Sequence, residues 1–188
     1  FANSAAAVLR PSARFDLVRC GISTYGFDPA PHAGHGRDLG LVPAMTARAR
    51  LSLVKEIPAG AGVSYGHLWV AEEETKLGLV PVGYGDGIPR AASNGAVVQV
   101  GGHRRPLRGR VCMDQFMVEG DDDTAPGDLA VLFGAGADGE PTGQDWAEVC
   151  ETISYEIVTR VGGRFTRVHV DPDVEPDVEP GSIDGDRA

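Results

Sequence analysis

Cysteine is scarce in this sequence, and long hydrophobic segments are absent. The 188 residues contain three cysteines, Cys20, Cys112 and Cys150, which are widely spaced and lack any CxxC or histidine-rich pattern. A disulfide framework or a zinc site is therefore not indicated. No stretch approaches the roughly 18 apolar residues that span a membrane, and the amino terminus lacks the basic and hydrophobic regions of a signal peptide. We expect a cytoplasmic protein without a membrane partner or a bound metal.

Positive charge is also in short supply. The chain has 17 lysine and arginine residues against 27 aspartate and glutamate residues, so its formal net charge is −10. A basic cluster between His103 and Arg110 is too short to overcome the repulsion between an acidic surface and nucleic-acid phosphates. Nucleic acid is therefore not an expected partner.

Glycine, by contrast, is abundant, and it points to a turn-rich β structure. The 26 glycines are about twice the usual share. From Val42 onward short apolar segments recur between turn signals, a spacing typical of an antiparallel barrel or sandwich. In the first of them, MTARARLSLVKEI, small or apolar residues alternate with polar ones and predict a half-exposed strand. The alternating residues that share its inner face are Met45, Ala47, Ala49, Leu51 and Leu53.

The first forty residues read differently. FANSAAAVLR predicts a short helix with Asn3 or Ser4 as its N-cap, because an alanine run follows. FDLVRCGISTYGFDP is β-prone up to Gly21 and then turn-like. Residues 30–40 are polar and aperiodic, which predicts a linker and a domain boundary near residue 40.

The carboxy-terminal third contains the clearest helix signal. In GQDWAEVC the residues Trp146, Val149 and Cys150 share one helical face, and Thr142 or Asp145 can cap it. A second helical segment is predicted from Ser154 to Arg160, followed by a strand, RFTRVHV. Residues 171–188 are acidic and proline-rich, which predicts disorder.

Four short segments carry candidate functional residues: GVSYG (62–66), VGYGDGIPR (82–90), GRVCMDQFMV (109–118) and TISYEI (152–157). Each has a structural alternative when it is taken alone. Tyr65 would pack in the core, Tyr84 would belong to a turn, and Met113 would fill the core. Tyr155 would pack beneath a helix, while Arg19 in LVRCGI would be a surface arginine.

Asp114 is harder to explain as ordinary structure. It follows Met113 on a predicted strand between Cys112 and Phe116, so its carboxylate would need a partner. A buried arginine is the simplest one.

In combination, these segments resemble the carboxy-terminal half of the alanine racemase family. FANSAAAV, VRCGISTYG, AMTARARL, GVSYG, VGYGDGIPR, GRVCMDQFMV and TISYEI occur in the family's order and spacing over residues 1–170. The resemblance implies a mainly β protein. Its antiparallel β-barrel-like domain, residues 41–170, would follow the remnant of a TIM-type α/β barrel and a linker in residues 1–40.

The resemblance also implies a pyridoxal 5′-phosphate (PLP) site. Ser4, the backbone N–H groups of Gly21 and Ile22, and the Tyr155 hydroxyl would bind the phosphate, as expected for helix starts and glycine-permitted approach. Arg19 would face the pyridine nitrogen, and because its guanidinium keeps its proton, it would favour racemisation over transamination.

Substrate-side roles follow in the same way. Tyr65 would be the base that serves the L face of alanine, contributed across a homodimer interface to the partner's PLP. The backbone N–H of Met113 would hold the substrate carboxylate, and Tyr84 would narrow the entrance. Asp114 would orient residues near that entrance.

The resemblance does not supply the complete enzyme. The two lysines, Lys55 and Lys76, lie outside the family's PLP-lysine segment, which belongs to the early barrel. The barrel histidine and the carboxylate-binding arginine also belong to the missing barrel. We expect a chain that is inactive alone, from an enzyme that supplies D-alanine for peptidoglycan. The alternatives are a non-catalytic β module for dimerisation or protein binding, a serine or broad-specificity racemase, and a decarboxylase of the same barrel type.

Overall fold

A computed structural model describes residues 1–33 and 38–170 of the chain. The predicted disorder of residues 171–188, and part of the predicted linker, lie outside the described residues. The three α-helices of the described part are α1 (Ser4–Leu9), α2 (Gly143–Val149) and α3 (Ser154–Arg160). Its nine strands are β1 (Ala47–Arg50), β2 (Leu53–Ile57), β3 (Gly62–Val63), β4 (Trp69–Val70), β5 (Thr75–Val80), β6 (Val97–Val100), β7 (His103–Arg108), β8 (Phe116–Glu119) and β9 (Leu129–Phe133).

Seven strands form one antiparallel sheet in the order β1-β9-β6-β7-β8-β5-β2, and β3 pairs with β4 separately. The two edge strands, β1 and β2, are consecutive in sequence and are separated only by Leu51 and Ser52. Leu51 N–H donates to Asp128 O (2.9 Å) beside one edge, and Ser52 N–H donates to Leu79 O (3.0 Å) beside the other. The sheet must therefore curl until its edges meet, which confirms the predicted barrel-like β fold.

The single strand predicted through Leu53 is wrong. Ala47 and Leu51 are buried as predicted, but the backbone leaves one edge at Leu51 and joins the other at Leu53. The change of pairing partner reverses which side faces the core, so Leu53 is 46% exposed.

The main core combines buried side chains of the seven-stranded sheet with buried side chains of α2 and α3. Its largest buried side chains include Trp146, Phe116 and Phe133. Phe27, from the amino-terminal segment, joins this core and lies against Gly143, where a Cβ would come within 2.9 Å of its ring. The amino-terminal segment is thus packed on the β structure rather than separate from it.

The helices form largely where the sequence predicts them. Asn3 caps α1 by accepting from Ala6 N–H (3.0 Å), and Thr142 caps α2 in a capping box with Asp145. Val149 was expected on the buried face of α2 but is 40% exposed, because the buried face is formed by Gly143, Trp146 and Ala147.

Two predicted strands are corrected. The segment RFTRVHV has no strand pairing. The β-prone segment before Gly21 contributes one isolated parallel bridge, between Ala2 and Val18. In the part of the chain that the structure describes, neither segment has a neighbouring strand with which to form a ladder, and β propensity without a partner does not make a sheet. Within residues 1–33 and 38–170, no helix has the length and apolar character needed to cross a bilayer.

Candidate active site

One open cavity brings together four of the predicted site residues. It has a volume of about 810 Å³ and is lined by Tyr65, Tyr84, Met113 and Asp114. These residues come from three segments far apart in sequence: the turn after β3, the turn after β5 and the loop before β8. Lys55 of β2 also lines the cavity, which places a cation near the tyrosines.

Tyr65 opens a 3-10 turn, Tyr65–His67, that directly follows β3. Its side chain is 75% exposed, so the alternative that it packs in the core is wrong. Its hydroxyl makes no hydrogen bond within the described part of the chain. The phenol is therefore available to a molecule in the cavity.

Backbone hydrogen bonds join Tyr84 to the Met113 loop. Tyr84 N–H donates to Cys112 O, and Gly85 N–H donates to Met113 O, both at 2.9 Å. This close approach requires Gly83, because a Cβ there would lie 2.2 Å from Cys112 O. Tyr84 does lie in a turn, Tyr84–Asp86, which confirms the structural alternative given for it above. Met113 is 55% exposed rather than core, and its N–H has no partner among the described residues.

An ion pair between a buried carboxylate, Asp86, and a half-exposed arginine, Arg164, stabilises the Tyr84 turn. Asp86 is 3% exposed and accepts from Gly83 N–H (2.9 Å), Arg164 N–H (3.0 Å), and Arg164 Nε (3.0 Å) and Nη2 (2.6 Å). The same Nη2 donates to Asp114 O at 2.8 Å. One guanidinium thereby connects the Tyr84 turn to the loop that carries Met113.

The charge state of Asp86 follows from these contacts. Burial by itself would raise the pKa of Asp86, but hydrogen bonds from the Arg164 side chain and the Gly83 and Arg164 N–H groups hold the pKa below its ordinary 3.8. The positive charge of Arg164 acts in the same direction. The carboxylate is therefore ionised wherever the protein is used near neutral pH.

Asp114 lies in a turn before β8, not on a strand as predicted. Its side chain is 70% exposed, and its Oδ1 is 3.9 Å from Arg164 Nη2. The predicted buried arginine partner is wrong: the arginine beside Asp114 is the half-exposed Arg164, and the buried carboxylate that it neutralises is Asp86. The strand prediction was wrong because β8 begins only at Phe116, where pairing with Val80 starts.

The amino-terminal site residues form a second group. The Ser4 Oγ, buried at the start of α1, accepts from Gly21 N–H (2.9 Å) and Ser23 N–H (3.5 Å). A Cβ at Gly21 would meet nothing within 4 Å, so the space in front of it is open. The Ile22 N–H and the buried Ser23 Oγ have no hydrogen-bond partner among the described residues. Two donors next to each other in sequence, the Ile22 N–H and the Ser23 hydroxyl, thus lack an acceptor among the described residues.

Arg19 and Tyr155 are less closely associated with that group. Arg19 is exposed, and its backbone N–H donates to Ala2 O at 2.7 Å, next to the parallel bridge. Tyr155, in the first turn of α3, is 38% exposed and lines a separate cavity of about 240 Å³ with Asp28, Pro31 and other residues. Ser4 and Gly21 line neither of the two cavities, so the structure does not bring Tyr155 and Ser4 into one of them.

Comparison with known proteins decides the family. The family described as alanine racemase, C-terminal domain, matches residues 44–169. This chain belongs to that family. The curled sheet is therefore that of an alanine racemase C-terminal domain, and the cavity lies against the face of β2, β5 and β8 opposite the main core. The likeness extends upstream: an alanine racemase of Salinispora arenicola is 55% identical over 187 residues, 99% of this chain and 46% of that protein.

Solved structures give the same relationship. The alanine racemase of Streptomyces coelicolor matches with a TM-score of 0.86 and 55% identity over 90% of this chain and 45% of the other. An alanine racemase from Bacillus anthracis, solved with bound L-Ala-P, matches with a TM-score of 0.79 and 34% identity over 86% of this chain and 42% of that one. The chain spans a little under half the length of these relatives.

Two residues that support the site were not predicted from the sequence: Asp86 and Arg164. Asp86 occurs inside the motif segment VGYGDGIPR, so an ionisable residue in a glycine-rich segment was a usable signal. The sequence around Arg164 contained no such signal, because its partner Asp86 lies 78 positions away.

The Asp86–Arg164 pair should stabilise the fold less at acidic pH, once the pH falls below 3.8. The folded-state pKa of Asp86 is below 3.8, so its stabilising contribution is complete above pH 3.8 and is lost as the pH falls through the lowered pKa. An Asp86→Asn variant lacks this contribution. The difference in free energy of unfolding between parent and variant, measured with urea, should therefore shrink when the pH is lowered from neutral to well below 3.8. A difference that stays constant with pH would contradict the pairing.

Proposed function

We propose that this chain is the carboxy-terminal part of a PLP-dependent alanine racemase, a cytoplasmic homodimer that interconverts L- and D-alanine and supplies D-alanine for peptidoglycan. The observation that carries the proposal is the single cavity lined by an exposed Tyr65, Tyr84 and Met113. The relatives' names, and L-Ala-P bound in the B. anthracis enzyme, support alanine as the substrate.

The donor set of the amino-terminal group fits a phosphate. Ser4 Oγ accepts from Gly21 N–H and keeps its own proton to donate. The Ile22 N–H and the Ser23 hydroxyl are further donors that lack an acceptor among the described residues. The open space at Gly21 allows an anion to approach the backbone. These residues, joined by Tyr155 in the complete enzyme, would hold the phosphate of PLP.

When bound, PLP withdraws electrons from the α-carbon of alanine and makes its α-proton removable. Arg19 would face the pyridine nitrogen with a guanidinium that keeps its proton, so that the nitrogen stays largely unprotonated. Electron withdrawal would then be weaker, and the reaction would be restrained to removal and return of one proton. The Arg19 side chain makes no hydrogen bond or ion pair in residues 1–33 and 38–170, which leaves it free for this contact.

The Tyr65 side chain would remove the α-proton from L-alanine as its phenolate, and as the resulting phenol it would return one when the reaction runs from D-alanine. Met113 N–H would hold the substrate carboxylate, and Tyr84 would exclude larger side chains. A phenol needs nearby cations to act as a base at neutral pH. The Lys55 ammonium lines the same cavity and supports this requirement. Since Tyr65 would act on the partner's PLP, the dimer is part of the proposal.

The experiment is a comparison of this chain with a hybrid in which residues 1–170 replace the corresponding part of the S. coelicolor racemase. We expect the hybrid, loaded with PLP, to form D-alanine from L-alanine, and this chain alone to form none, because its two lysines lie outside the PLP-lysine segment. Chiral chromatography measures both products.

Three results would contradict the proposal. Turnover by the chain alone would remove the need for the barrel lysine. A folded hybrid that binds PLP but leaves alanine unchanged would favour the non-catalytic module. Faster turnover of serine than of alanine by the hybrid would favour a racemase of different specificity.

A further inference from the structure

We propose that Arg110 is a positioning residue for Tyr65. By donating from Nε to the Tyr65 carbonyl, it holds a strained turn that fixes where the phenol lies in the cavity. The proposal rests on the proposed role of Tyr65 as the base. Arg110 would thus affect the reaction indirectly, through the backbone of Tyr65.

The turn that carries Tyr65 is backbone-strained. Ser64 has φ 59° and ψ −174°, a region that is essentially restricted to glycine, and His67 has φ 45°. Between them Gly66 also has a positive φ, of 72°. Two side-chain-bearing residues within four positions therefore adopt a backbone that they would not choose in isolation. Such a conformation persists only where surrounding contacts impose it.

The segment Gly109–Cys112 provides those contacts. Arg110 Nε donates to Tyr65 O at 2.9 Å. Gly109 lies so close beneath the turn that a Cβ there would be 2.7 Å from Val63 O. Cys112 Sγ is 3.9 Å from Ser64 Oγ, a weak contact. Of these, the Arg110 hydrogen bond is the one made directly to Tyr65.

The Tyr65 side chain has little else to fix it. It is 75% exposed, and its hydroxyl has no partner in the described ranges. Its position therefore follows mainly from its backbone. A base must reach the proton that it removes to within hydrogen-bond distance, and a displacement of about 1 Å can cost about 100-fold in rate. Loss of the Arg110 hydrogen bond should thus act on kcat rather than on substrate affinity.

The test uses the PLP-loaded hybrid racemase and the variant Arg110→Met, which keeps most of the side-chain length. The control is Arg50→Met: Arg50 Nη1 likewise donates to a backbone carbonyl, Gly127 O, at 2.7 Å, but Gly127, unlike Tyr65, does not line the cavity. We expect Arg110→Met to lower kcat by about 10- to 100-fold with KM changed less than about threefold. Arg50→Met should match the parent.

Two further readouts separate positioning from other roles. In D2O, the variant should exchange the α-proton of D-alanine faster than it forms L-alanine, because only the step assigned to Tyr65 is impaired. The pH profile of kcat/KM should keep the apparent pKa values of the parent, while its maximum falls. A change in an apparent pKa of this profile would mean that the Arg110 charge acts on the phenol directly, and would overturn the proposal.

A measurement without turnover completes the test. Hydrogen–deuterium exchange in peptides covering residues 62–70 should speed up in Arg110→Met and stay unchanged in peptides from β6 and β9. Exchange equal to that of the parent in the 62–70 peptides, or parental kcat in an active hybrid, would overturn the proposal. If the unsubstituted hybrid binds PLP but does not racemise alanine, the proposed function fails instead, and exchange still decides the role of Arg110 in the turn.

Discussion

The variant Tyr65→Phe is expected to lower kcat for alanine racemisation by at least about 100-fold in the hybrid enzyme, since a positioned acid or base contributes about 100- to 10,000-fold. Phenylalanine keeps the ring and removes the only group of this side chain that can carry the proton. L- and D-alanine have equal free energies, so kcat/KM must fall equally in both directions. Initial rates from each enantiomer measure both values.

Tyr25→Phe is the matched control for that variant. Tyr25 is 40% exposed and lines neither the 810 Å³ cavity nor the 240 Å³ cavity. Its hydroxyl can be removed without touching Tyr65, Tyr84 or Met113. If Tyr65→Phe keeps kcat within about threefold of the parent, Tyr65 is not the base. If both variants lose activity equally, the loss reflects structure rather than chemistry.

The variant Asp86→Ala is expected to lower the free energy of unfolding of this chain by about 2–3 kcal/mol, because it removes a buried carboxylate that accepts four hydrogen bonds. Removal of the carboxylate leaves Gly83 N–H and Arg164 N–H without their acceptor. It also frees the guanidinium that holds the Asp114 carbonyl. The cost is moderated because Arg164, whose side chain is 52% exposed, can turn to water. Urea unfolding at neutral pH gives the value.

Asp122→Ala is the comparison for this second variant. The Asp122 carboxylate also faces a cation, Lys76 Nζ at 3.5 Å, but its side chain is fully exposed. Exposed pairs contribute about 0–1 kcal/mol, so little change is expected. Equal losses in the two variants would show that the burial of Asp86 has no energetic consequence. A loss below about 1 kcal/mol in Asp86→Ala would show that its hydrogen bonds are replaced by water.

The positions of strands and helices could largely be predicted from local sequence. Glycine punctuation separated the β segments, and an N-cap followed by helix-forming residues marked α1 and α2. The failures share one cause. Leu53, Val149 and the segment RFTRVHV carry the right local pattern, but their exposure or pairing depends on which strand or helix they meet. Local patterns contain no information about that partner.

The candidate site divides in the same way. The sequence by itself determined the family through its motif segments, and with it the residue types Tyr65, Tyr84 and Met113. Only the tertiary structure decided that these three line one cavity, that Arg164 neutralises Asp86 from 78 positions away, and that Ser64 is strained beneath Tyr65. The physical reason is that residue identity is carried by single positions, whereas burial, ion pairing and backbone strain are properties of segments that meet only when the sheet closes.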